Sequence, residues 1–284
     1  MRIETVTEPG DPGRPNEDHV SAVLPASGAG GAVVLLDGVT PPAGGDGCVH
    51  GVPWFTARLG GALLELSGSR RDLTLTECLA EALARTAGAH RQTCDLSHPR
   101  TPQSTVVAAR WDEQEVEHLV LSDSALLLES PGGAVHPVLD NRLDRLPPDV
   151  TGLRDRVRAL PRDAPERVTA AAEYARAVEA LRNAPDGRGF HTAAADPGVA
   201  RLALTGRTPR SGVRALLAVT DGASRWVETF RLGGWADLFA LVRADGAATL
   251  LRRVREAESA DPEGARFPRG KCHDDATVLL AEPG

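Results

Sequence analysis

Five places in this chain set an aspartate or glutamate at the end of an apolar run or in a tight turn. They are Asn16-Glu17-Asp18, Leu36-Asp37-Gly38, Ser122-Asp123-Ser124, Thr220-Asp221-Gly222 and His273-Asp274-Asp275. An ionised carboxylate beside buried strand residues is costly unless a cation or a set of hydrogen bonds compensates it. Taken singly, each Asp-Gly reads as a turn, because both residues suit turns for reasons unrelated to metals. Brought together, these ends would make a site for hard divalent cations. Ligation by carboxylates, a backbone carbonyl and water selects magnesium or manganese over zinc or copper. Two such ions bridged by a carboxylate lower the pKa of a shared water and orient it for in-line attack on phosphorus.

The elements that must position these residues are legible as short apolar runs. Strand vocabulary at strand length recurs at 31–36, 104–110, 116–121, 125–129, 213–220 and 276–281. Helices are expected between them. The clearest covers 74–89, where Thr74 and Glu77 make a capping box and Leu79, Leu83 and Ala87 repeat on one face. Others are expected over 54–67, 165–183, 234–243 and 245–257. Strands that neighbour one another at 104–129, rather than alternating strictly with helices, point to antiparallel sheets packed with helices, the α+β class. Residues 140–165 and 184–212 are rich in Pro, Gly, Asp and Arg. They read as irregular connections around one helix, so the expectation is one domain over 1–284 with a flap or insertion at about 140–212.

Composition narrows the function classes. A net charge of -7 argues against a nucleic acid or an anionic membrane surface as the main partner. No stretch is long and apolar enough to span a bilayer, and the N-terminus lacks an apolar targeting core, so a cytoplasmic protein is expected. Lys271 is the one lysine in a chain rich in Arg, Ala, Gly and Pro, the usage of a GC-rich bacterial genome. Four cysteines at 48, 78, 94 and 272 have no C-x-x-C spacing and read as buried or incidental thiols rather than as a zinc knuckle or disulfide framework. The histidines lack H-x-x-x-H or H-E-x-x-H spacing. Of these, His273 adjoins Asp274 and is a candidate to orient the site, while His191 and Asp196 are candidates to touch substrate from the flap. Ser104 and Ser124 lack the G-x-S-x-G elbow of a serine nucleophile.

The ordered series R-x-x-E-D at Arg14 to Asp18, apolar strand then Asp37-Gly38, S-T-x-V at 104–107, Ser122-Asp123-Ser124, apolar strand then Thr220-Asp221-Gly222, and Asp274-Asp275-Ala276-Thr277-Val278 resembles the metal-dependent protein phosphatases, the type 2C serine/threonine phosphatases. The resemblance runs from Arg14 to Leu280. It implies a four-layer αββα sandwich with a dinuclear Mn2+ or Mg2+ centre between two antiparallel sheets. On the matching positions, Asp37 would bridge both metals and Gly38 would offer its carbonyl to one. Asp221 and Asp274 would complete one sphere, and Glu17, with Asp18 through water, would serve the other. Asp123 with Asp221 would hold the third ion seen in bacterial members, and Arg14 would meet the substrate phosphate. A phosphoprotein is the implied substrate.

Several positions depart from the family pattern. Where D-G-H-G-G or D-G-M-G-G is usual, this chain has Asp37-Gly38-Val39-Thr40-Pro41. Val39 cannot serve as a general acid, and the following prolines stiffen the loop. Ser122 replaces the usual glycine, Asp275 stands where asparagine is common, and Arg14 lies one residue closer to Glu17 than in many members. The run into Asp37-Gly38-Val39 also resembles the haloacid dehalogenase phosphatases, but Leu35 occupies their nucleophile position, so no phospho-aspartyl intermediate can form. Two further alternatives share the implied fold and metals. One is a regulatory binding module without turnover; the other is a phosphatase of a small phosphorylated metabolite.

Overall fold

Alternation along the strands decides the architecture. The computed structural model describes residues 1–25, 29–42, 44–161 and 164–284, so positions 162 and 163 of the expected flap lie outside the described residues. In chain order the elements are β1 (Arg2–Glu8), β2 (His19–Val23), β3 (Gly31–Leu36), α1 (Val52–Ser69), α2 (Leu75–His90), β4 (Val106–Trp111), β5 (Glu115–Leu121), β6 (Ala125–Glu129) and β7 (Val135–Val138). There follow α3 (Pro148–Ala159), α4 (Pro165–Leu181), β8 (Leu204–Pro209), β9 (Ala215–Val219), α5 (Asp221–Glu228), α6 (Trp235–Asp245), α7 (Ala247–Ala260) and β10 (Ala276–Glu282).

Two five-stranded sheets form, the first ordered β2-β3-β4-β5-β8 and the second β1-β10-β9-β6-β7, with antiparallel pairing throughout the described strands. Successive side chains of a strand point to opposite faces. Val33 and Leu35 of β3 therefore meet the second sheet, against Leu126, Leu216 and Leu279, while Val34 and Leu36 meet Phe55, Leu59 and Leu79 of the first helix pair. The second sheet repeats the arrangement. Leu217, Val219, Val278 and Leu280 turn outward onto Phe239, Leu250 and Val254 of α6 and α7. Both faces of each central strand are buried, which explains continuous apolar runs in antiparallel strands. The result is the expected α+β architecture, an αββα sandwich.

The expected strands at 31–36 and 125–129 match β3 and β6 residue for residue, and the Thr74–Glu77 capping box is present. The irregular reading of 140–165 and 184–212 is corrected in two places. Residues 148–159 form α3, and 204–209 form β8, which extends the first sheet by pairing with β5. In α3 only Val150 is buried, so no apolar stripe announced it. α3 and α4 carry a small core of their own, Leu146, Val150, Leu181 and Phe190. Among the described residues no helix is long and apolar enough to cross a membrane.

Candidate metal centre

Each carboxylate is delivered by the end of a strand. Asp37 leaves β3, and its segment is held to the start of β4 by Thr105 N–H to Asp37 O at 2.9 Å and Asp37 N–H to Thr105 Oγ1 at 3.1 Å. Gly38 is required there by close approach: a Cβ would lie 2.4 Å from Val52 Cγ1 and 2.5 Å from the Glu17 carbonyl oxygen. Asp221 is the first residue of α5, directly after β9. Gly222 lets that turn press on the strand entry, where a Cβ would stand 2.0 Å from Asp275 O. Asp123 lies in the β5–β6 turn behind Ser122, whose φ of 70° explains why glycine suits that position.

Asp37, Gly38, Asp123, Asp221 and Asp274 line one cleft of about 270 Å³. Glu17 and Arg14 line an adjoining recess of about 70 Å³ that shares Thr40, Lys271 and Asp274 with the cleft. Asp18 lies behind them. Thr277 Oγ1 at 2.7 Å and Thr220 Oγ1 at 3.1 Å donate to its Oδ2, while its Oδ1 is buried with no hydrogen-bond partner among the described residues. Asp275 is turned away from the cleft. Its two oxygens accept from the backbone N–H groups of Gly10, at 2.8 Å, and Glu17, at 2.7 Å, and so tie the N-terminal segment to the entry of β10.

The electrostatics are those of uncompensated acids. Burial, and then the charges of Asp221, Asp18, Asp123 and Asp274, push the Asp37 carboxyl well above the usual range. Burial and the charges of Asp274 and Asp123 raise Asp221 to about 7, against the help of Arg225 and a hydrogen bond from Asp37. Asp18 is pushed up to about 8, mainly by burial. Asp123 and Glu17 are raised as well, again mainly by burial. Retained protons relieve the repulsion among these neighbours where no cation balances it.

Asp274 is different, because protein cations hold both of its oxygens. Lys271 Nζ lies 2.7 Å from Oδ1 and Arg225 Nη2 2.9 Å from Oδ2. Burial works against the Lys271 ammonium, but Asp274, Asp221 and Asp37 outweigh it and raise its pKa. Sequence reasoning missed Lys271, Arg225 and Arg182. Arg182 also lines the cleft, with its guanidinium 5.5 Å from the centre of the Phe190 ring. Lys271 had a signal, as the one lysine in the chain three residues before Asp274. His273 turns to buried Glu258, with Nδ1 2.8 Å from Oε2, on the same carboxylate that Arg225 engages. His191 and Asp196 line a separate cleft, and Asp196 caps the short turn at Pro197–Leu202.

The donor set fits hard divalent cations. Clustered carboxylate oxygens, a buried unpartnered oxygen on Asp18 and proton affinities raised by burial and repulsion are what a group of anions shows when its countercharge is a cation.

No protein-family model and no curated protein matches the sequence. Among solved structures the whole chain is similar to the serine/threonine phosphatase Stp1 from Staphylococcus aureus, at 14% identity and a TM-score of 0.56 over 99% of this chain and 94% of that one. It is similar also to the Mycobacterium tuberculosis serine/threonine phosphatase PstP, at 18% identity and a TM-score of 0.55 over 99% and 97%. The catalytic domain of PstP in complex with two manganese ions matches at 18% identity and a TM-score of 0.53. The chain has the fold of the bacterial type 2C phosphatases.

Proposed function

We propose that the chain is a metal-dependent phosphomonoester hydrolase, a divergent type 2C phosphatase acting on phosphoserine or phosphothreonine in proteins. The observation that carries this reading is the meeting of Asp37, Asp123, Asp221 and Asp274, from four separate segments, in one cleft of a sandwich shared with Stp1 and PstP. Asp37, Asp221 and Asp274, with Glu17, Asp18 through water and the Gly38 carbonyl, would hold two manganese or magnesium ions, and Asp123 with Asp221 a third. Such ions, when bound, supply a nucleophilic water near neutral pH and neutralise charge on the phosphoryl oxygens.

The chain's own residues have defined tasks in this reading. Asp37 and Asp221 would give up retained protons to a bound cation, while Thr220 and Thr277 hold Asp18 in place. Asp275 fixes the segment that carries Glu17. Lys271 and Arg182 on the cleft wall, and Arg14 in the recess, offer positive charge to the phosphoryl oxygens of a substrate. Val39 has no proton to give, so leaving-group protonation would fall to bound water or to another residue of the cleft.

The decisive assay is hydrolysis of para-nitrophenyl phosphate with manganese, magnesium or chelator, beside Asp221→Asn. Manganese-dependent turnover that disappears in chelator and in the variant is expected, and a panel of phosphopeptides and phosphorylated metabolites then assigns the substrate class. The grip of Lys271 and Arg225 on both oxygens of Asp274 favours a second reading, a binding module without turnover. A folded, manganese-binding chain with no hydrolysis under any metal would establish that module instead.

A further inference from the structure

Away from the acidic cleft, two cysteines and a histidine that are distant in sequence stand together. Cys48 lies in the loop after β3, His90 is the last residue of α2, and Cys94 follows it in the next turn. Their donor atoms all lie within 4.8 Å of one another. Cys48 Sγ is 3.2 Å from Cys94 Sγ and 3.6 Å from His90 Nδ1. We propose that Cys48, His90 and Cys94 form a second metal site, for a thiophilic divalent cation of the zinc type, distinct in place and in donor chemistry from the carboxylate centre.

Geometry separates this from a disulfide pair. Zn–S bonds of about 2.3 Å and a Zn–N bond of about 2.0 Å at the tetrahedral angle place sulfur about 3.5 Å from nitrogen and the two sulfurs about 3.8 Å apart. The observed Sγ to Nδ1 distance matches, and the sulfurs need to part by only about half an ångström. A disulfide requires them to close to about 2.05 Å, a larger movement and in the opposite direction.

The surroundings suit a cation as well. His90 is buried, and burial together with His50 lowers its pKa, so the imidazole is neutral and its lone pair available. Burial opposes ionisation of Cys94, but Val49 N–H, Cys48, Thr93 and His50 N–H outweigh it and set the thiol below its ordinary value. Cys48 is raised, mainly by burial. Loading releases the thiol protons and leaves two thiolates, one imidazole and one dication, a neutral group. Cys48 and Cys94 are only half-buried, which keeps an entry path open. His50 stacks on Trp54 at 4.4 Å and places its Nε2 3.3 Å from Thr93 Oγ1, so the fourth coordination position falls to solvent.

The site has a structural consequence for the cleft. Asp95 N–H already donates to Gly47 O at 2.8 Å, tying the loop to the end of α2. A cation on Cys48, His90 and Cys94 locks that tie, and the tethered loop is the continuation of Asp37-Gly38-Val39-Thr40. C-x-x-C counting misses the cluster because Cys48 stands 42 residues before the His90-x-x-x-Cys94 pair.

The test is titration of the reduced, chelator-stripped full chain with cobalt(II). A thiolate-to-cobalt charge-transfer band saturating at one ion per chain and displaced by zinc is expected. It should be lost in Cys48→Ser and Cys94→Ser, kept in Cys272→Ser, and kept in Asp37→Asn, since carboxylates give no such band. Zinc-edge X-ray absorption of the wild type, which needs no variant, should read sulfur and nitrogen neighbours together. A folded, reduced chain without the band, or a band that survives Cys94→Ser, overturns the site. So does a Cys48–Cys94 disulfide in the chain as isolated that leaves no cobalt band after reduction.

Discussion

β6 is flanked by two acidic residues in opposite circumstances. Asp123 lies two residues before its start and Glu129 is its last residue, and both are largely taken out of water. At the far end two guanidinium groups compensate the charge. Arg214 Nε donates to Glu129 Oε2 at 2.9 Å, and Arg243 Nη1 reaches both oxygens, at 2.8 and 2.9 Å. Burial raises the Glu129 pKa, but the two arginines outweigh it and hold the carboxyl below its ordinary value. At the near end Asp123 faces Asp37 and Asp221, and all three are raised. One strand thus shows that this sandwich can neutralise a buried carboxylate with its own arginines. Among the described residues Asp37, Asp123 and Asp221 have no such ion pair, and the weaker help of Arg182 and Arg225 leaves all three raised, which is the strongest physical argument that their countercharge comes from outside the chain.

The largest expected effect tests the uncompensated end. Asp37→Asn should lower manganese-dependent phosphatase turnover at least about 100-fold, the scale on which one charge-stabilising group is felt. The same change should raise the melting temperature of the metal-free chain, because it removes one of several buried like charges. A destabilised Asp37→Asn in chelator would break the comparison. At the compensated end the sign reverses. Glu129→Gln should destabilise by about 1–3 kcal/mol, read from denaturant melts, since Arg214 and Arg243 lose a charge-assisted partner.

The two ends should also part with pH. Asp18 and Asp221 rise from an ordinary 3.8 to about 8 and about 7, so the folded, metal-free chain retains protons that the unfolded chain has released. Their contribution is fully present below the ordinary value and is lost as pH rises through the folded values. Metal-free stability should therefore fall between about pH 4 and pH 8, and manganese should offset the loss by taking the place of the protons. Glu129, depressed from an ordinary 4.5, contributes above that value and loses its contribution as pH falls through its folded pKa. Thermal melts of wild type and Glu129→Gln from about pH 2 to about pH 8 separate the two slopes. The smallest effect belongs to Lys271, whose ammonium is half exposed beside Asp274. Lys271→Met should tighten manganese binding about two- to five-fold, as expected from losing a competing surface ion pair, and calorimetric titration measures it.

Much of the fold could be read from the chain because both faces of the central strands are buried. Continuous apolar runs such as Ala32 to Leu36 and Ala125 to Leu128 therefore marked strands without ambiguity. The elements that escaped have weak faces. β1 reads RIETVTE and alternates exposed with half-buried residues at a sheet edge, and β8 is a similarly exposed edge strand. α5 is eight residues long and opens on Asp221-Gly222, which alone reads as a turn.

The sequence by itself determined the strand ends, the type of residue at each, and so the set of carboxylates from which a hard-cation site can be built. The tertiary structure decided which of them meet. It placed Asp37, Asp123, Asp221 and Asp274 on one cleft, turned Asp275 to the backbone of Gly10 and Glu17, and brought Lys271 and Arg225 onto Asp274. It also set Cys48 beside Cys94, a contact between loops that lie 46 residues apart. Charge and thiol chemistry depend on distance and burial, which local sequence does not carry: a carboxyl's proton affinity follows from what surrounds it after folding.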